Sequence, residues 1–446
     1  MRATFFLVLI LLGSLVWAQD ESKTEFSLSE AQAYAVSHHL TVQNAQLEFD
    51  EARKRVQETS AIGLPQVSAM ADYKYYTEIP KSVVDISLFD PSLPAGTTTP
   101  VEFGVNNNSM VNLTVDQLLF DGTFIVGLKA AATYKTLKEQ GIRMTEIQVK
   151  DLVATSYYNV LIAEENKKIF TQNVEKLESQ LYDLQQMYEA GFIEEIEVDQ
   201  LDLILSDAKQ RKQTIDRQVV VMYELLNFQM GRDINAELEL TESLKAIYDT
   251  YDENALLKSE IILENHINFQ MIETQEKLQE LNIKRNQASR LPRIGASYQL
   301  GQNSFVDPSG LTDGSSWYRN QFIGINVSMP IFTSTMNSSK VQQEKIILNR
   351  IQNNKSMLED NLRIEVSVAR MKYIDALEQF RSEEKNLNVS KKIFDITSEK
   401  QKNGLASSMD VTVSNNQYLQ IQGKYITALY NILESKATLD KALNNY

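Results

Sequence analysis

Residues able to do chemistry are few in this chain. His38, His39 and His266 are its three histidines, and none is spaced with carboxylates as metal ligands are. There is no cysteine, no glycine-rich phosphate loop, and no set of Ser, His and Asp arranged for nucleophilic attack. The expectation is therefore no enzyme, no catalytic residues, no metal and no cofactor. The acids that stand out lie just past two glycine turns, Glu197 after Gly191 and Asp410 after Gly404. There they sit in first helical turns, where a carboxylate meets the favourable end of the helix dipole.

The elements that hold those turns follow from the distribution of breakers. All eight prolines fall in two windows, Pro65 to Pro100 and Pro292 to Pro330, and proline is excluded from helix interiors by its missing N–H and its clash with the preceding turn. Glycine is scarce outside the same windows. Long helices are thus predicted to flank two short β regions. The chain opens with Arg2, an apolar run from Phe5 to Val16 and Ala18 before Gln19, the pattern of a secretory signal over 1–18. That run is too short to span a bilayer, and no later run of about 20 apolar residues appears. The formal net charge of −15 argues against nucleic acid as a partner.

The two windows are copies of each other. Leu64-Pro65 corresponds to Leu291-Pro292, Leu119-Phe120 to Ile331-Phe332 and Gly191 to Gly404, the mark of an internal repeat. The predicted organisation is a first repeat over 19–231 with a hairpin at 64–120 and a tip at 191. A connector over 232–253 follows, with a short strand around Glu237 to Leu240, and then a second repeat over 254–446 with a hairpin at 291–332 and a tip at 404. Helices are predicted from about Ser29 to Ala61 and from about Asn254 to Arg290. A long helix from Gly127 to Ala190 would run roughly 96 Å at 1.5 Å per residue. Within it Phe170, Val174, Leu177, Leu181, Leu184 and Tyr188 step as a coiled-coil seam, answered by Leu201, Leu205, Ala208, Ile215, Val219, Met222 and Leu226.

The hairpin strands alternate. Ile294, Ala296, Tyr298 and Leu300 face one way and Gly295, Ser297, Gln299 and Gly301 the other, and Ile323, Ile325 and Val327 repeat the pattern. One apolar face and aromatics near the strand ends (Tyr73, Tyr75, Tyr298, Trp317 and Tyr318) match membrane β-strands with interface aromatics. The other reading is two hairpins packed on a soluble core. In lipid, four strands with open edges leave backbone groups unpaired at several kcal/mol each. Single-chain bacterial barrels have at least about eight strands, so a membrane role requires that copies share a barrel. Two copies would supply eight strands and three would supply twelve, and the residues alone do not choose.

Several motifs together resemble the TolC family of outer membrane efflux proteins. They are Leu28-Ser29-Glu30-Ala31, the Leu-Pro closures at Pro65 and Pro292, Leu118-Leu119-Phe120-Asp121-Gly122 with its counterpart Val327 to Phe332, and the glycine tips. The resemblance covers nearly all of the chain after the signal. It implies a mainly α fold with membrane β: four strands per protomer in a shared twelve-stranded trimeric barrel, and long coiled-coil helices forming a periplasmic α-barrel. It also implies an address in the outer membrane of a Gram-negative bacterium, in contact with its lipid and reaching into the periplasm. The implied role is a passive exit duct in tripartite efflux or type I secretion. Its partners would be a periplasmic membrane-fusion adaptor and an inner-membrane transporter of the RND or ABC type. Adaptor docking would fall on Gly191, Phe192, Ile193, Gly404, Leu405, Ala406, Ser407 and Ser408. Asp410, with Glu197, would be a candidate entrance constriction, where three copies around an axis would favour cations; Val413 departs from the second acid found in some members. The contrasting function is a non-conducting exported coiled-coil protein with a structural or adhesive role.

Overall fold

A computed structural model describes residues 23–89, 92–250, 253–403 and 405–445. The expected signal over 1–18, and Gly404, lie outside the described residues. In chain order the strands are β1 (Glu25–Phe26), β2 (Gln66–Tyr75), β3 (Lys81–Asp85), β4 (Thr98–Glu102), β5 (Asn107–Phe120), β6 (Glu239–Leu240), β7 (Arg293–Ser304) and β8 (Trp317–Ser328). The helices are α1 (Leu28–His38), α2 (Leu40–Ala61), α3 (Gly122–Glu189), α4 (Glu195–Met230), α5 (Leu244–Asp249), α6 (Glu253–Lys258), α7 (Ile267–Ala288), α8 (Met336–Lys402) and α9 (Ser408–Leu443). No helix among the described residues is long and apolar enough to cross a membrane.

The chain forms two compact units. One takes residues up to Phe49, Leu137–Glu273 and those from Asn353 on; the other takes Asp50–Thr136 and Thr274–Gln352. The first unit is helical. Its core includes Phe26, Ala31, Ala35, Val153, Tyr157, Leu226, Met230, Tyr373, Ile432 and Leu433, all nearly inaccessible. Tyr157 lies on α3, and its hydroxyl donates to the Phe26 carbonyl at 3.0 Å, anchoring the long helix to β1. That strand pairs in parallel with β6, the short strand expected in the connector. The connector is otherwise more ordered than its polar composition suggests, since Leu244 and Ile247 of α5 are buried in the core. Farther along, Val174, Leu177 and Leu184 meet Leu201, Leu205 and Ala208 as the expected seam between α3 and α4. A buried polar link crosses this packing, Asn415 on α9 donating to Asn173 on α3 at 2.8 Å.

Two predicted helices are each broken. The helix expected from Ser29 to Ala61 stops at His38 and restarts at Leu40, with His39 extended at φ −67°, ψ 126°. The helix expected from Asn254 is interrupted over residues 259–266, a longer break with a 3-10 turn at Leu263–Asn265, and restarts at Ile267 after His266 at φ −72°, ψ 126°. The one-residue break at His39 leaves the hydrophobic period almost unchanged, which is why the pattern runs through it.

In the second unit the sheet order is β2-β5-β7-β8, every neighbouring pair antiparallel. The two hairpins therefore lie side by side, joined through β5 and β7. The loop of the first hairpin, inside the first proline window, holds its own small two-stranded sheet, β3 with β4. Pro100 fits there because β4 has a single neighbour, so a missing N–H costs no ladder bond on the other side.

Candidate functional site: an open sheet and two helix tips

The register of the four strands sorts their side chains into two faces. On one, a row runs Val67, Val115, Tyr298, Ile323; the rows beside it hold Leu113 with Leu300 and Ala296 with Ile325, and Ile294 with Val327 follows. From Ile294 to Leu300 this apolar band is about 20 Å tall at ~3.4 Å per residue, near the roughly 25 Å of membrane barrels. It is bare in the single chain: Ile323 is 81% exposed and Ile325 71%. Gln117 and Gln321 are the polar exceptions, and the Gln117 amide is turned back onto the Gly63 and Leu118 carbonyls. A bulge at Leu119 shifts the alternation by one, so that Phe120 stands opposite Ile294 on the apolar face.

The opposite face carries Asp72, Lys74, Asn112, Asp116, Ser297, Gln299 and Asn320, with Met70, Met110, Leu118, Phe322 and Tyr318 as exceptions. Here Asn112, Gly301 and Asn320 are neighbours in one row. A Cβ at Gly301 would fall 2.6 Å from Asn112 Oδ1 and 2.1 Å from Asn320 Oδ1, so only glycine leaves room for these two side chains. Both outer strands, β2 and β8, lack a partner on their free edge among the described residues. Unpaired edges beside a bare apolar face are what soluble sheets avoid.

The aromatics expected at a membrane interface divide. Tyr73 and Trp317 occupy one end row on the apolar face, and each has a polar partner: Tyr73 donates to Asn107 at 2.7 Å, and Trp317 Nε1 donates to the Leu311 carbonyl at 2.8 Å. Tyr75 lies one row farther out. Tyr298 stands inside the band, and Tyr318 is on the polar face beside Phe305. Asn107 also donates to Asp307, a carboxylate of the second hairpin's loop.

The helix tips belong to the other unit. Helix α3 ends with Gly191 at φ 76°, and the Phe192 N–H reaches the Met187 carbonyl at 2.9 Å, a left-handed glycine cap. At the second tip the equivalent bond runs from Leu405 to the Lys400 carbonyl at 2.8 Å. The next helix is then closed by reciprocal bonds: Ser407 Oγ accepts from Asp410 N, and the Asp410 carboxylate accepts from Ser407 N–H and Oγ–H. These bonds hold the Asp410 carboxyl below the usual carboxylate range. Glu197 occupies the same place in α4, but Glu194 ahead of it makes no side-chain cap. Ile193 packs into the α3–α4 seam. Ala406, Ser407 and Ser408 line a cavity of about 370 Å³ with Leu184, Met187 and Val411.

Of the expected tip residues, Phe192 and Leu405 are 78% and 77% exposed; sequence reasoning missed Ile196 and Met409, also equivalent under the repeat and both more than half exposed. Their matched spacing from Gly191 and Gly404 was the available signal. Among the described residues no group of three or more His, Asp and Glu side chains could hold a metal ion.

A family model for outer membrane efflux proteins matches residues 33–232 and 259–445. No curated protein matches the chain. Among solved structures the chain is similar to the outer membrane protein VceC from Vibrio cholerae, with TM-score 0.72 and 14% identity over 93% of this chain and 95% of that one. It is similar also to the CmeC outer membrane channel of Campylobacter jejuni, with TM-score 0.70 and 17% identity over 97% and 90%. The open state of the MtrE outer membrane channel of Neisseria gonorrhoeae matches with TM-score 0.72 and 16% identity over 93% and 88%. Identities this low speak for the fold, whereas the family match spans most of the chain in two stretches, one in each repeat. The chain belongs to the outer membrane efflux protein family.

Proposed function

We propose that the chain is one protomer of a homotrimeric, passive exit duct serving a tripartite efflux or type I secretion system. An inner-membrane pump of the RND or ABC type would drive it through a periplasmic adaptor. The observation that carries this reading is the four-stranded sheet with one bare apolar face and two free edges. Joining β8 of one copy to β2 of the next satisfies both edges, and three copies close a twelve-stranded barrel of the even-numbered bacterial kind. The apolar face then meets lipid and the polar face lines the lumen. The repeats are taken as 19–231 and 254–446, joined by 232–253; Gly231 and Asn444 support this, because both end a return helix in the left-handed conformation.

Adaptor docking is assigned to the tips, Gly191 to Ile193 and Gly404 to Ser408, supported by the matched exposure of Phe192 and Leu405. The constriction role of Asp410 and Glu197 is kept as a second property of the same tips. Detergent-dependent extraction from outer membranes, followed by planar-bilayer recording, tests the duct. Trimer-sized particles with discrete conductance are expected. A protein released without detergent and silent in bilayers would instead fit an exported coiled-coil scaffold.

A further inference from the structure

The three histidines, set aside as metal ligands, all fall at the two breaks that interrupt the predicted helices. His39 and His266 are equivalent under the repeat and share nearly the same extended backbone. In both, the ring does the same work: Nδ1 accepts the backbone N–H two residues on, from Thr41 at 3.1 Å and from Asn268 at 3.3 Å. Each imidazole thus caps the helix that follows it, α2 or α7, in place of the Ser or Asp that usually serves. An accepting Nδ1 requires an unprotonated ring with its hydrogen on Nε2. Each break is also backed by the end of a return helix. A Cβ at Gly231 would lie 2.8 Å from the His38 carbonyl, and Asn444 bonds both the Ile267 N–H and the Asn265 carbonyl.

We propose that His39 and His266 form a matched pair of acid-sensitive joints, in which a proton taken from water onto Nδ1 replaces the cap bond and frees the first turns of α2 and α7. The protonated ring has only donors and cannot accept from a backbone N–H. Among the charged groups, Glu365 on α8 faces His266 and favours its charged form, but burial outweighs it and the value is lowered from 6.5; at His39 burial alone lowers it. His38, adjacent on α1, is stacked on Tyr34 with centroids 3.9 Å apart. Arg232, next to Gly231, is held by the Lys23 and Glu237 carbonyls, and Lys441 pairs with Asp151 at 2.7 Å. With both folded values below the ordinary one, the unfolded chain binds more protons in the interval between them. The joints are therefore at full strength above the ordinary histidine value, weaken as pH falls below it, and are lost as pH falls through the lowered folded value.

Hydrogen exchange on the full-length protein in detergent, corrected for intrinsic rates, tests the joints. From about pH 7.5 to about pH 5.5 the first-turn amides of α2 and α7 are expected to exchange about ten-fold faster, the size of a lost cap. The first turn of α9 is the internal reference, because its Ser407–Asp410 cap does not titrate there. His39→Asn and His266→Asn keep an acceptor without the titration, and should abolish the acceleration. Unchanged protection in the native protein, or equal acceleration in the Asn variants, overturns the proposal.

Discussion

At the scale of single residues, Asp410 shows how a carboxylate can be fully accounted for by local structure and still be available for a second role. Its bonds to Ser407 keep it ionised well below neutral pH. The sign follows: the lowered value adds stability that is complete above the ordinary aspartate range and lost only as pH drops through the folded value. Asp410 is therefore not expected to contribute to a change in the channel between about pH 5 and 8. Ser407→Ala removes the acceptor for the Asp410 N–H and is expected to cost about 1 kcal/mol, read as a lower melting temperature with conductance unaltered. Asp410→Asn separates the two roles: it keeps an amide oxygen for the cap while removing the charge. If three carboxylates ring the entrance, cation preference and conductance change in planar bilayers; if the residue only caps α9, neither does.

At the scale of elements, the tips and the sheet differ in how much their sequences disclose. The coiled-coil seam was legible because a buried stripe repeats every three or four residues, and Val174, Leu177 and Leu184 indeed meet Leu201, Leu205 and Ala208. The hairpins were legible because alternation is strict over Ile294 to Gly301. The breaks at His39 and His266 were not, since their cause is a ring nitrogen and a packed turn rather than a period. Nor was the pairing of β5 with β7, a contact between residues far apart in the chain that no local pattern encodes. The face taken by Tyr318 was legible from the same alternation, since it lies an odd number of residues from Ile323 and Trp317 an even number. For the tips, Phe192 and Leu405 are largely exposed, and large apolar side chains repeated at equivalent exposed sites fit the docking surface proposed above. Changing both to Asp should leave the trimer intact on sizing and abolish efflux in cells, about as completely as deleting the gene for the duct. Full efflux by that variant would remove the tips as the docking site.

At the scale of the whole molecule, the question is which face of the sheet meets lipid, and the register makes that testable with one kind of residue. Ile323 stands in the row of Val67, Val115 and Tyr298, well inside the apolar band. Ser297 lies between Asp116 and Gly324 on the other face. A lysine near the bilayer midplane on the lipid face costs about 2–4 kcal/mol, whereas a lumen lysine is tolerated and alters selectivity. In a trimer every such substitution occurs three times, so the lipid-facing penalty is multiplied and the lumen charge is concentrated in one ring. Ile323→Lys is therefore expected to deplete trimers from the outer membrane, measured as loss of the heat-dissociable band and of bilayer channels. Ser297→Lys should assemble normally and move ion preference toward anions, helped by its position beside Asp116, whose charge it offsets. The reverse pattern, with Ile323→Lys assembling and Ser297→Lys failing, would mean that the sheet is inside out, with Asp72, Asp116 and Gln299 turned to lipid. Equal tolerance of both would mean that neither face is in lipid and that the free edges of β2 and β8 are satisfied by some partner other than a second copy of the chain.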